Sequence, residues 1–279
     1  VIMKLFHELS CPTTLPELDI FAVPATQLGW IGNRLTQERP QAILDSQKNI
    51  TFDFTTAPDE YVRLNKTTLH LNLRVDLTKN DSKSVSGLDW LKISTVNNFA
   101  QSLFKHVEIA VNGVNIVKSP SHYAYKAFYE TFFGFTDDAK SSYLSSSMFE
   151  NEKATSKDAL STYRRDRITP KNTLSDAATD KEKVGQGKEI KLVFKMHLDL
   201  ALQPRAILGG NRITITLQPN SPAFYLMKTD DTIVPKVVFT DCYLQVYRGL
   251  VSPSILSAHA AGLQKATAKY PISRLEIKQ

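Results

Sequence analysis

Apolar and polar residues alternate along much of the chain. Leu69, Leu71, Leu73, Val75 and Leu77 fall opposite His70, Asn72, Arg74 and Asp76. Successive side chains of a strand point to opposite sides, so this segment has one apolar and one polar face, the pattern of an antiparallel sheet. Val107, Ile109 and Val111 continue the theme into Asn112-Gly113, a dipeptide suited to positive φ at both central positions of a type I′ turn. Val114 and Ile116 form the returning arm. Further strands are predicted at Ile50–Phe54, Ile190–Leu200, Arg212–Gln218 and Val237–Tyr247, with a short one at Pro271–Lys278. About eight strands separated by turns and long excursions predict a mainly β fold, an antiparallel sandwich or eight-stranded jelly roll rather than a parallel α/β sheet, with a few short helices in the connections.

The clearest helix starts at Ser119-Pro120 and ends at Gly134, Ser capping free N–H groups and Pro fitting the first turn. Tyr125, Phe128, Tyr129, Phe132 and Phe133 share one face at helical spacing, and so long an aromatic stripe predicts packing across a sheet edge rather than stacking on bases or a ligand. A second helix follows Thr136, where Asp137 and Asp138 complement the N-terminal dipole. Ser252-Pro253 opens a third, running towards Ala266. Residues 150–189 carry 17 charges in 40 positions, nine positive and eight negative, so a surface loop or partly disordered insertion is predicted there.

With 279 residues, 42% of them hydrophobic, the chain can build its core without staples. Its two cysteines, Cys11 and Cys242, give no disulfide framework or zinc spacing, which fits a reducing compartment. Val1–Phe6 is too short for a signal peptide, and no run reaches the ~20 apolar residues of a membrane span. The Asn-x-Ser/Thr triplets at Asn49, Asn65 and Asn80 therefore read as chance, and a soluble cytosolic product is expected. The net charge of +6 permits contact with nucleic acid without requiring it.

Among candidates for chemistry, His197-Leu198-Asp199 is the sharpest, because His-x-Asp with a distant His is how jelly-roll oxygenases hold non-haem iron. His259 would be the third ligand and Arg274 the anchor of an acidic cosubstrate. Strand periodicity argues against this: with Ile190, Leu192, Phe194, Met196, Leu198 and Leu200 on the core face, His197 and Asp199 lie outward beside Lys191 and Lys195. Val184–Lys188 resembles part of a phosphate-binding loop, but its spacing is wrong and a strand rather than a helix follows. Tyr163–Arg167 has the aromatic-plus-basic character of a nucleic-acid backbone patch, but its acidic neighbours point to a solvated loop. There is no Gly-x-Ser-x-Gly elbow. Cys11 lacks basic neighbours to activate it, and Cys242 falls with Val238, Leu244 and Val246 as core. His7, His70, His106 and His122 have no metal-ligand spacing. These readings leave no catalytic residue, no cofactor and no metal, and the chain is not read as an enzyme.

The run Val96–Gly113, Val-Asn-Asn-Phe-Ala-Gln-Ser-Leu-Phe-Lys-His-Val-Glu-Ile-Ala-Val-Asn-Gly, resembles the major capsid proteins of Polintons (Mavericks) and adintoviruses. The residues carrying the likeness are Asn97, Asn98, Phe99, Ser102, Leu103, Phe104, Asn112 and Gly113, followed by the Tyr-x-Tyr segment of Tyr123 and Tyr125. Glu17–Phe21, Glu60–Leu64 and Tyr270–Arg274 are also similar, so the resemblance spans most of the chain outside 150–189.

That resemblance implies a structural double jelly-roll subunit. Such subunits form homotrimers, pseudo-hexagonal capsomers of an icosahedral shell around double-stranded DNA, alongside penton and minor capsid or cement proteins. It further implies residence in the virion, synthesis in the host cytoplasm with assembly there or in the nucleus, and non-specific contact with packaged DNA. Family members are longer, so residues 1–252 would be the first jelly roll, with its insertion at about 150–189, and 253–279 a linker helix and strand leading towards a second. Two other readings fit a β-sandwich: a cellular or domesticated binding module for glycan or protein, and the jelly-roll oxygenase.

Overall fold

Residues 26–80, 84–118, 122–151, 160–170 and 185–272, with Leu18, Ile20, Phe21 and Val23, are described by the computed structural model. Its strands are β1 (Trp30–Glu38), β2 (Ile50–Thr55), β3 (Glu60–Val62), β4 (Thr68–Lys79), β5 (Ile93–Thr95), β6 (Phe104–Val111), β7 (Val114–Lys118), β8 (Ile190–Phe194), β9 (Arg212–Pro219), β10 (Leu226–Lys228) and β11 (Ile233–Val251). Two antiparallel sheets of four principal strands run β1-β11-β4-β8 and β2-β9-β6-β7. The short β3 pairs with β11, and β5 with β10. In sequence the principal strands change sheet at every step except the β6–β7 hairpin. One path thus wraps both sheets, which is the jelly-roll arrangement.

The core lies between the inner faces. Leu69, Leu71, Leu73, Val75 and Leu77 of β4 meet Ile50, Phe52 and Phe54 of β2, Ile213, Ile215 and Leu217 of β9, and Phe104, Val107 and Ile109 of β6 in one buried cluster. In β11 the inward set changes parity, from Val237 and Phe239 to Cys242, Leu244 and Val246. An irregularity between Phe239 and Asp241 absorbs the extra residue, since a bulge is the way a strand changes face without losing its partner. Cys242 is therefore core as anticipated, but with Val237 rather than Val238 on its face. Asn112 and Gly113, at φ 51° and 79°, close the β6–β7 hairpin in the left-handed conformations that its turn requires.

Helices occupy the connections: α1 (Phe99–Ser102), α2 (Tyr123–Gly134), α3 (Asp137–Ser141), α4 (Thr162–Ile168), α5 (Asp199–Leu202), α6 (Pro222–Tyr225) and α7 (Pro253–Leu263). Ser119-Pro120, Cys11, His7 and the end of the Pro271–Lys278 segment lie outside the described residues.

Three sequence expectations are corrected. The strand from Ile190 stops at Phe194, and Met196, His197 and Leu198 are all buried. Here side chains replace the sheet ladder: Gln101 Nε2 donates to the Lys195 carbonyl (2.8 Å) and His197 N–H donates to the Tyr123 hydroxyl (3.1 Å). The aromatic stripe of α2 does not pack on the sheet. The helix buries Tyr123, Ala124, Ala127 and Thr131 instead, small side chains apart from Tyr123 that let it approach closely, and turns its large rings outward. Part of the charged 150–189 segment is an ordered element: α4 buries Arg164 and Ile168. Arg164 is accommodated because its Nε donates to the Thr95 carbonyl (2.9 Å) and its Nη1 pairs with Glu150 (2.9 Å).

Candidate assembly surfaces

The motif residues from Asn97 to Phe104 form a knot beside Tyr123 of α2. Asn97 Oδ1 accepts from the N–H groups of Asn98 and Glu150, and its Nδ2 donates to the Glu150 carbonyl, each at 2.8 Å. Asn98 takes φ 55°, and its carbonyl accepts from Gln101 N–H (3.1 Å) and Ser102 Oγ (3.2 Å), starting α1. Phe99, Leu103 and Phe104 are fully buried. The Tyr123 hydroxyl donates to Gln101 Oε1 at 2.6 Å while accepting from His197 N–H. Burial pushes the Tyr123 phenol well above its ordinary pKa, so it stays a neutral donor. Tyr125 is half-exposed, edge-on to Phe224 with ring centroids 5.6 Å apart, and Asn112 and Gly113 are exposed too. Asn112 sits at the far hairpin, its Oδ1 accepting from Arg212 N–H at 2.9 Å.

His197 points inward, contrary to the periodicity argument, yet its environment is an ion-pair network. Its Nδ1 lies 3.0 Å from Glu130, and Lys126 pairs with Asp199 at 3.0 Å and with Glu130 at 3.5 Å. Burial raises the Glu130 carboxyl, but the His197 hydrogen bond and the Lys126 charge outweigh it and hold the group below its usual range. His259 is elsewhere, stacked on Tyr61 with its Nδ1 2.9 Å from the Tyr61 hydroxyl. No three His, Cys, Asp or Glu side chains converge in a metal-holding arrangement among the described residues. Arg274 lies outside them.

In the Val184–Lys188 stretch, whose Val184 lies outside the described residues, two backbone donors are engaged. Gly187 N–H donates to the Val75 carbonyl (2.8 Å) and Lys188 N–H to that of Ile168 (2.9 Å), leaving those groups no freedom to cradle a phosphate. In Tyr163–Arg167, Arg164 is buried and paired, and Arg167 Nη1 donates to the Ser145 carbonyl at 2.9 Å. These cations serve the fold rather than an exposed strip.

What the structure does leave open is apolar. On α2, Tyr125 is 48% exposed, Tyr129 54%, Phe132 45% and Phe133 77%. The rings are pre-stacked along the helix, Phe128 on Phe132 (interplanar 13°) and Tyr129 on Phe133 (9°). At the other end of the chain, α7 buries none of its residues. Beside it an open groove of about 550 Å³ is lined by Ala258, Gly262, Leu263 and Ala266 against Tyr61 and Tyr270. Sequence reasoning found the α2 stripe but faced it inward, and missed the α7 groove. The available signal was the second stripe of α2, Tyr123, Ala127 and Thr131, whose small members suit close packing.

No known family's sequence profile matches the chain. An uncharacterized protein of Caenorhabditis elegans, F54H12.2, is 27% identical over 138 residues, 50% of this chain and 29% of that protein. Among solved structures, a chain of the Sputnik virophage matches 88% of this chain with a TM-score of 0.55 at 10% identity. The fold, a jelly roll, is shared with this virophage chain. The Faustovirus major capsid protein matches equally widely, with a TM-score of 0.53 at 10% identity. The chain spans 53% and 58% of the lengths of these two proteins.

Proposed function

We propose that this chain is a structural capsid subunit, a jelly roll of the major capsid protein type found in Polintons (Mavericks) and adintoviruses. Its partners on this reading are copies of itself, arranged as trimers in pseudo-hexagonal capsomers of a double-stranded DNA virus shell, with penton and minor capsid or cement proteins at the lattice margins. The carrying observation is the strand order β1-β11-β4-β8 against β2-β9-β6-β7, in a fold that superposes on the Faustovirus major capsid protein over 88% of the chain with a TM-score of 0.53. The physical support is a stiff two-sheet slab whose titratable clusters are consumed in internal pairs, with apolar surface held open for contact. No catalytic role is assigned. The test is sedimentation and negative-stain electron microscopy of the purified full chain. Trimers or a hexagonal lattice are expected once a second jelly roll is joined to it, whereas a chain that even then stays monomeric at every concentration and binds a glycan saturably would overturn the reading in favour of a binding module.

A further inference from the structure

We propose that the aromatic ridge of α2 on one copy seats in the groove beside α7 on a second copy, a head-to-tail contact. This rests on the capsid reading only for the supply of identical chains; its evidence is the chemistry of the two surfaces. At ~200 Å² per aromatic side chain, the exposed fractions of Tyr125, Tyr129, Phe132 and Phe133 leave about 450 Å² of ring surface open. That exceeds half of the ~800 Å² each partner contributes to a standard protein interface, before any rim is counted. The rings are rigid and already stacked, so little side-chain freedom is lost on docking.

Charge decides the occupant. Nucleic acid or an anionic membrane needs free cations interleaved with the rings, but both lysines beside this ridge are engaged. Lys126 is held by Glu130 and Asp199, and Lys140 lies over the Phe132 ring and 3.6 Å from Asp137. Among the described residues at the rim, Asp138 is exposed and has no cation beside it, while the equally exposed Asp137 shares Lys140. A partner should therefore offer an apolar hollow with a basic margin. The chain has one: α7 contains no charged residue, small side chains open the groove beside it, and Arg205 and Lys269, both exposed, line it. A ridge on one face and a hollow on another make the contact heterologous, so copies add in one rotational sense and close into a ring when the angle permits. Pairing α2 with α2 would set Asp138 against a surface whose lysines are already held, Lys126 by Glu130 and Asp199 and Lys140 by Asp137.

The test uses full chains carrying Cys11→Ser, with Cys242 buried, into which Phe133→Cys or Leu263→Cys is introduced. Each variant is checked for an unchanged melting profile and treated with a short bismaleimide, alone and in equimolar mixture. Cross-linked dimers in the mixture and not in either variant alone are expected. No product in the mixture, or equal product from Phe133→Cys alone, overturns the proposal. In parallel, Phe132→Ser/Phe133→Ser should weaken self-association at least tenfold by sedimentation. Loss of duplex DNA binding with self-association intact would assign the ridge to nucleic acid and also overturn it. If the double variant still forms the wild-type lattice, this contact fails while the capsid reading stands. If the mixed cross-link forms but neither trimers nor a lattice do, even with a second jelly roll joined, the contact stands and the capsid reading fails.

Discussion

Arg248 occupies a position that the strand pattern reserves for the core. It follows Cys242, Leu244 and Val246 on the inward face of β11 and is 7% exposed. The guanidinium is satisfied there by Glu38 (2.7 Å), Thr36 Oγ1 (2.9 Å) and the Thr55 carbonyl (3.1 Å), with Glu60 at 3.6 Å. Because Thr36 is in β1 and Thr55 ends β2, one side chain ties the two sheets together. Arg248→Ala leaves Glu38 without its cation and Glu60 with Arg34 alone, and a loss of about 3–5 kcal/mol in urea-unfolding free energy is expected, the usual cost of breaking a buried pair. A loss under about 1 kcal/mol would mean the pair is solvated like a surface bridge. The same cluster predicts a pH dependence. The hydrogen bond from Arg34, with the Arg34 and Arg248 charges, outweighs burial and holds Glu60 below its ordinary value of 4.5, and Asp53 is lowered chiefly by Arg212. A carboxyl whose folded pKa is depressed gives its full stabilisation above the unfolded value and surrenders it as pH falls through the folded one. The urea midpoint should therefore drop as pH falls below about 4.5, and Glu60→Gln should flatten that drop; an unchanged slope in the variant would remove Glu60 from the account.

Elements meet at the Tyr123 hydroxyl. It joins α2 to α1 through Gln101 and to the end of β8 through His197 N–H, so it stands in for the ladder bonds that the strand gives up after Phe194. Tyr123→Phe keeps the ring and strips a buried acceptor and a buried donor of their partner, and about 1–3 kcal/mol of stability should be lost. Amide hydrogen exchange at His197 should accelerate while that of Leu71 in β4 does not. Equal protection at His197 in wild type and variant would show that the backbone there is held by something else. This junction also explains what the sequence could and could not reveal. The strands β2, β4, β6, β7 and β9 were legible because a single alternation, or an Asn-Gly turn, fixes each of them. The continuation from Ile190 was misread because alternating residues persist to Leu200 after the hydrogen bonds have passed to Gln101 and Tyr123. The α2 rings were misfaced for a related reason: hydropathy marks two stripes on that helix, and side-chain size, which periodicity ignores, decides which of them approaches the body. Strand β1 went unseen because its polar alternation, with Ile31 and Leu35 exposed, gives an edge strand no apolar face.

A wall subunit must resist load as one piece, and the arrangement of the core bears on that. The inner faces of both sheets belong to a single buried cluster, and the chain alternates between sheets, so neither sheet can detach without drawing the other's strands out of register. Phe52 on β2 and Leu73 on β4 are both fully buried, one in each sheet. Deleting either side chain opens a cavity in a close-packed interior, at about 3–5 kcal/mol for Phe52→Ala and about 2–5 kcal/mol for Leu73→Ala. If the slab is one cooperative unit, each substitution lowers the midpoint of the same transition without changing its urea slope, because the surface exposed on unfolding is unchanged. Coincident fluorescence and circular-dichroism curves would establish this, Trp90 being fully buried beside the core and circular dichroism reporting both sheets. A second transition appearing in only one variant would instead divide the slab into separately unfolding sheets. A subunit of that kind would yield at its own core before its contacts with neighbours, and the capsid reading would then need a stiffening partner on the α2 or α7 surface.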